Sequence, residues 1–257
     1  MSTPFAALHV PCDPFVLPNA WDVGSARALL AAGFRAIGTT SLGVAASRGI
    51  EDATRASRAA SLAVTRELRE ALPEVLLTAD LEDGFHDDPA AVADLVASLD
   101  VDGVNLEDAT AGELVDPARH GARIRAVMDR SPDVFVNART DVFWLHTGTL
   151  DDAIARVRRY VDAGADGVFV PGALDAATVE AIAEAVDAPL NVLASPTLDR
   201  RRLADLGVAR ISTGSLLYRA AVHRLVDAAE AVRDGRAPGA AVSYDEVQAW
   251  SQTSSSS

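Results

Sequence analysis

The chain has 257 residues, a single cysteine (Cys12) and a formal net charge of −14, which excludes an intrachain disulfide and argues against nucleic acid or an anionic membrane as partner. All 23 basic residues are arginine; with no lysine amine, Schiff-base chemistry on a carbonyl substrate is excluded. No run reaches the roughly 18 apolar residues of a spanning helix, and the first residues lack the basic start and apolar stretch of a leader, so a soluble cytoplasmic protein is expected.

Residues 1–14 read as an N-terminal extension. The first β-type run, "FVLPN" (15–19), leads into the amphipathic "DVGSARALLAAG" (22–33). "AIGTT" (36–40) and "VLLTAD" (75–80) follow, then "DDPAAVADLVASL" (87–99), "GVNLED" (103–108) and "VFVNAR" (134–139). The second half continues the alternation with "LDDAIARVRRYVDAG" (150–164), "GVFVP" (167–171), "LDAATVEAIAEAV" (174–186), "LNVLA" (190–194), "ARIST" (209–213) and "GSLLYRAAVHRLVDAAEAVRDG" (214–235). In the longer segments apolar residues recur at three and four, and Asp or Ser opens many of them. The strand runs are short and nearly all apolar, as expected when both faces are covered.

The helix-to-strand joints "AAGFRAI", "SLDVDGV", "DAGADGV" and "DLGVARI" resemble one another, a weak repeat of one βα unit. Eight such units predict a (β/α)₈ barrel of the α/β class over residues 15–250, with 251–257 as a disordered tail. The alternative, a doubly wound open sheet, usually carries a Gly-rich turn after its first strand; "LPNAWDVGSA" is not G-x-G-x-x-G.

In a barrel the site lies at the C-terminal ends of the strands. Those ends carry Asn19 and Asp22, Thr40 and Ser41, Asp80 and Glu82, Glu107 and Asp108, Asn137, Arg139 and Asp141, and Ser212 and Thr213. Asp22 and Asp108 read equally well as helix caps. Asp80 and Glu82 leave one side of their strand, as do Arg139 and Asp141. Acids meeting at one mouth suit Mg²⁺, or Mn²⁺, and not zinc. The five histidines show no ligand spacing; most are expected at the surface, with His86 and His146 nearest the rim motifs, and Cys12 reads as structural.

"LPNAWDVGSARALLAAGFRAIGTTSLGVAASRG", "TADLEDGF", "GVNLED", "NARTDVF" and "GADGVFVPG", in this order, resemble the isocitrate lyase/phosphoenolpyruvate mutase superfamily over about residues 16–220, on its 2-methylisocitrate lyase-like and phosphonomutase-like branch. The resemblance implies a homodimer or homotetramer with the last helix exchanged, a Mg²⁺ ion, and a small 2-oxo acid or related carboxylate reacting through an enolate. It implies Asp80, Glu82 and Glu107 around the metal, with Glu82 one methylene longer than the usual Asp. It places Asp52 behind the metal, and Thr40 and Ser41 where the family carries Ser-Gly. Arg139 stands as the carboxylate-binding and catalytic arginine, with Asn19 and Trp21 completing a substrate site. Asp83 has no family role and reads as a solvated turn residue.

The departures are equally informative. The segment after Glu107, "DATAGELVDPARHGARIRAV", lacks the family's catalytic cysteine and is too short for its gating loop. A standard isocitrate or 2-methylisocitrate lyase is therefore not expected. Mg²⁺-dependent C–C cleavage, by lyase or decarboxylase chemistry, is the leading expectation. P–C chemistry, as in a phosphonomutase or phosphonopyruvate hydrolase, comes second, and a barrel that binds a metabolite without turnover third.

Overall fold

A computed structural model describes residues 3–252. Nine strand segments form one parallel sheet: β1 (Phe15–Leu17), β2 (Asn19–Ala20), β3 (Ala36–Thr39), β4 (Leu76–Asp80), β5 (Gly103–Glu107), β8 (Phe135–Arg139), β9 (Gly167–Phe169), β10 (Leu190–Leu193) and β11 (Val208–Ser212); a small hairpin, β6 (Ala109–Thr110) with β7 (Glu113–Leu114), stands apart. The segments β1 and β2 are one strand interrupted at Pro18. A proline has no N–H for the ladder, and the chain changes neighbour there: Phe15–Leu17 pair with β11, while Asn19 and Ala20 pair with β3. That switch closes the sheet into the expected (β/α)₈-type barrel, with the run 15–19 broken at its proline.

Among the described residues ten α-helices accompany the strands. On the outside lie α1 (Val23–Ala31), α3 (Arg58–Ala71), α4 (Pro89–Ala97), α5 (Pro117–Arg130), α6 (Leu150–Asp162), α7 (Ala176–Ala185) and α8 (Arg200–Asp205). The short α2 (Ser41–Ser47) sits on the rim, and α9 (Leu216–Arg233) and α10 (Tyr244–Gln252) end the described chain. Aspartates at 22, 88, 116, 175 and 199 accept backbone N–H bonds at helix starts, which is the stop-and-start chemistry the sequence advertises. Asp22 is thus a cap, in a capping box with Ser25. Asp108 is not: it lies fully buried and accepts from Thr140, Tyr160, Arg156 and the Asp141 N–H.

Two apolar clusters fill the space between sheet and helices. One centres on Leu77, Val104, Leu106, Ile124 and Val136, the other on Val168, Ile182, Val192, Leu203 and Val208. The extension folds under the barrel, where Phe5 is fully buried and His9 stacks on Phe135 with ring centroids 4.0 Å apart. His120 is also fully buried, edge-on to Tyr160. Two histidines are therefore core residues instead of surface ones; burial lowers the pKa of His9 to about 3 and of His120 to about 4. Cys12 is exposed, with a free thiol. Ser251 and Gln252 belong to α10 and not to a disordered tail; the remainder of that tail lies outside the described residues. No helix among the described residues is long and apolar enough to cross a membrane.

Candidate active site at the barrel mouth

At the C-terminal ends of the strands lies an open cavity of ≈ 940 Å³, counting the space continuous with solvent. Its walls divide by strand. From β3 round to β8 come six carboxylates, Asp52, Asp80, Glu82, Asp83, Glu107 and Asp141, with Arg55 and Arg139. From β9 round to β2 come Phe169, Pro171, Leu193, Ser212, Ser215 and Asn19, with no charged side chain.

Asp80 ends β4. Its Oδ2 accepts from the Ser41 N–H at 3.1 Å, while its Oδ1 is buried without a hydrogen-bond partner. The Oδ1 of Asp52 is in the same condition, and Ser41 supplies a side-chain hydrogen bond to the Asp52 carboxyl. Two buried acid oxygens with nothing to bind are costly unless a cation or proton meets them. Burial, and then the Asp80 charge, pushes the Asp52 carboxyl above its ordinary range.

Glu82 is held from outside the barrel. Its carboxylate accepts the Ser57 hydroxyl and the backbone N–H of Arg55, the latter at 3.1 Å. Burial raises its pKa, against those two hydrogen bonds. Asp83 is the residue furthest from expectation. It is buried instead of solvated, and takes Arg55 through Nε and Nη2, the Thr110 hydroxyl and, more distantly, Arg123. Arg55 is thereby clamped at its side chain while its own N–H serves Glu82. Of the seven non-glycine residues with left-handed backbone among the described residues, five, Ala53, Arg55, Glu82, Phe85 and Ala111, lie in the loops of this charged arc. Such conformations cost of order 1 kcal/mol or more and gather at functional sites.

Arg139 ends β8 between two acids. Its Nη1 donates to Glu107 at 2.5 Å and its Nε to Asp141 at 2.6 Å. Trp144 and Phe169 cover its face at 5.9 and 5.6 Å from the ring centroids. Burial alone would lower its pKa, but Asp141, Glu107 and Asp80 reverse that and raise it. Burial drives the Glu107 carboxyl well above its ordinary range, with Arg139 opposing. No protein acceptor among the described residues meets the Arg139 Nη2, which leaves that end for a carboxylate ligand.

Beneath the floor runs a polar layer. The Asn105 Oδ1 accepts from Asn137 and from Arg210, and Arg210 donates through Nε to Ser212, which donates on to Asn191. Arg210 is fully buried, no carboxylate among the described residues bridges to it, and burial lowers its pKa to about 9. Sequence reasoning missed Arg210, Arg55 and Asp83. For Arg210 a signal existed: Arg210 and Ser212 share one side of a strand otherwise made of apolar residues.

The structure brings together Asn19, Thr40, Ser41, Asp52, Asp80, Glu82, Glu107 and Arg139. It does not bring in Trp21, which packs edge-on against Tyr218 of α9, nor His86 and His146, which are exposed and outside the cavity walls. Where the family's gating loop would stand, the β6–β7 hairpin turns on Ala111 and Gly112, both at positive φ as a tight two-residue turn requires.

A divalent ion suits this donor set. Only oxygen ligands converge, and two of them are buried and unpartnered. Among the described residues no three acid or histidine side chains are already gathered in ligating positions, because Glu82 and Glu107 are engaged by Ser57, Arg55 and Arg139. Mg²⁺ fits such a site well, since it keeps several waters and takes few protein carboxylates.

Comparisons with known proteins place these features. The profile of the phosphoenolpyruvate phosphomutase family matches residues 5–233. A Mycobacterium tuberculosis protein of uncharacterized function is 49% identical over 247 residues, 95% of each chain. A solved structure from Burkholderia cenocepacia, whose assignment as a lyase or mutase is itself provisional, superposes with a TM-score of 0.87 at 38% identity, covering 96% of this chain and 94% of that one. The structure of 2,3-dimethylmalate lyase superposes with a TM-score of 0.79 at 26% identity, covering 94% and 90%.

Proposed function

The chain belongs to the phosphoenolpyruvate phosphomutase family, within the isocitrate lyase/phosphoenolpyruvate mutase superfamily, and from that premise we propose that it is a Mg²⁺-dependent enzyme cleaving a C–C bond next to a 2-oxo acid carboxylate. The observation that carries this reading is the pair of buried, unpartnered acid oxygens on Asp80 and Asp52, in the same cavity as Arg139. Asp80 would hold the ion directly, with Asp52, Glu82 and Glu107 supporting it. A divalent ion held there would offset the repulsion among these acids and supply Lewis-acid polarisation of the 2-oxo group.

The protein's own groups do the rest. Arg139, fixed by Glu107 and Asp141, offers its Nη2 end to the substrate carboxylate and keeps its proton throughout. Ser41 orients Asp52, and its backbone N–H fixes Asp80. As the C3–C4 bond breaks, the C4 fragment leaves without the bonding pair, as CO₂ or as a carbonyl compound, while that pair forms C2=C3 and the carbonyl pair moves to the 2-oxo oxygen, leaving an enolate. The mouth has no long lid, so water can return the proton to carbon and no cysteine is needed. P–C chemistry is the weaker alternative: a phosphonate dianion calls for more cationic donors than two arginines that each bridge two acids already. A barrel without turnover would have no use for unpartnered acids and left-handed loops.

The protein is also proposed to act as a homodimer or homotetramer in the cytoplasm. Leu225 and Val232 of α9 are 70% and 63% exposed, and a second copy exchanging this helix would cover them. Calorimetric Mg²⁺ titration of wild type and Asp80→Ala, followed by turnover of a 2-oxo acid panel, tests the function. Loss of Mg²⁺ binding in Asp80→Ala with turnover in wild type is expected; unchanged Mg²⁺ affinity in the variant overturns it.

A further inference from the structure

We infer that Asn105 and Arg210 form an oxyanion subsite in the floor of the mouth, where the Asn105 Nδ2 donates to the substrate oxygen that becomes the enolate. The inference rests on the enolate reading above and assigns a further group to it. Asn105 lies on β5, beside Asp80 of β4 in the strand register, and lines the cavity. Its amide has a fixed sense. The Oδ1 accepts from the Asn137 Nδ2 at 2.8 Å and from the Arg210 Nη2 at 3.3 Å; a guanidinium can only donate, so the oxygen of Asn105 must face it. The Nδ2 is thereby turned away from these two donors, and no acceptor among the described residues meets it. A donor on a residue only 5% exposed, in a cavity wall, is left for a ligand.

Arg210 supplies the charge behind that amide. It stands on β11, with β10, β9 and β8 between it and β5, so its guanidinium crosses the barrel interior to reach Asn105. Its Nε donates to the Ser212 hydroxyl at 3.0 Å. A buried cation with no carboxylate bridged to it is expensive to fold. With a pKa of about 9 it keeps its proton at neutral pH, and the Asp80 charge favours that cation. Hydrogen-bonded to the Oδ1, the cation polarises the amide and strengthens its N–H donors. A neutral amide backed by a fixed charge suits an oxygen that is uncharged in the substrate and negative after C–C cleavage, because the donor is already in place where charge develops. Arg139, by contrast, meets a carboxylate that is charged throughout.

Oxalate and pyruvate carry the test. Oxalate is negative on both halves, as the enolate of a 2-oxo acid is, whereas the 2-oxo oxygen of pyruvate is uncharged. Each is titrated calorimetrically into the full chain at saturating Mg²⁺, and Mg²⁺ is titrated alone beside them. Wild type should prefer oxalate. Asn105→Asp keeps an acceptor for Asn137 and Arg210 but turns an acceptor instead of a donor towards the mouth; oxalate affinity should fall about a hundredfold, and pyruvate affinity far less. Arg210→Met removes the charge below the floor and should narrow the oxalate preference about tenfold, with Mg²⁺ affinity unchanged. Melting temperatures check both variants, and if Arg210→Met does not fold, Asn105→Asp decides alone. An unchanged oxalate preference in Asn105→Asp overturns the subsite and leaves the 2-oxo acid reading standing. So does a loss confined to Mg²⁺ affinity, which would make Asn105 a support of the ion. If neither acid binds wild type with Mg²⁺ present, the 2-oxo acid reading falls and takes the subsite with it.

Discussion

The two halves of the barrel mouth are built from the same βα unit yet differ in every property that matters for chemistry. The arc from β3 to β8 carries six acids and two arginines, five strained backbone positions and carboxyl oxygens left without partners. The arc from β9 to β2 carries apolar side chains and hydroxyls. Both arcs stand on apolar clusters packed between strands and helices, so the contrast is one of the rim. One arc is costly to fold as it stands and repays that cost only with a ligand; the other is ordinary protein surface turned inward.

The comparison breaks most severely at Arg139. Arg139→Lys keeps the charge but loses the fork that spans Glu107, Asp141 and a substrate carboxylate; kcat/KM should fall by about a hundredfold in steady-state assays, with the melting temperature altered far less. A retained rate would mean that the charged arc needs only a cation there. Next comes Asp83→Asn, which loosens Arg55 and through it the N–H held on Glu82. Mg²⁺ affinity measured by calorimetry should drop about tenfold, the size typical for groups that orient ligands. No change would reduce Asp83 to a folding residue.

Acid titration sharpens the comparison from below the rim. His9 and His120 have folded pKa values lowered by burial to about 3 and about 4, against 6.5 unfolded. Their contribution is therefore complete above pH 6.5 and is lost as pH falls toward those lower values, by up to about 1.4 kcal/mol per pH unit for each histidine. The raised carboxyls of Asp52 and Glu82 have the opposite sign: their protonated forms add stability below 3.8 and 4.5, which is lost as pH rises through the folded values. Denaturant melts of wild type and His9→Phe between pH 7 and 4.5 separate the two, and the variant should lose less stability on acidification. The smallest effect is expected at His86→Ala and His146→Ala, both outside the cavity, each retaining more than a tenth of the turnover rate. A thousandfold drop in either, with metal binding intact, would make that histidine the proton donor.

Much of this was legible in the chain. The eight apolar runs and the aspartates before the helices specify a barrel, and the spacing of Asp80, Glu82, Glu107 and Arg139 places them on one rim. The unreadable parts depend on distant partners. Asp83 looks like a turn residue until Arg55, 28 residues away, and Thr110, 27 away, close on it. His9 and His120 look like surface groups because their pockets are assembled from Phe5, Phe15 and Phe135 in one case and Tyr160 in the other. The Pro18 break was visible as a proline, but the exchange of strand partners it permits was not.

The division of the mouth is tested most directly by locating the ion. Crystals grown with Mn²⁺ in place of Mg²⁺ would reveal it by anomalous scattering. The account predicts one strong peak in the charged arc, within ligand distance of an Asp80 carboxylate oxygen, and none in the arc from β9 to β2. A peak elsewhere in the cavity, or a site left empty at saturating Mn²⁺, would contradict it.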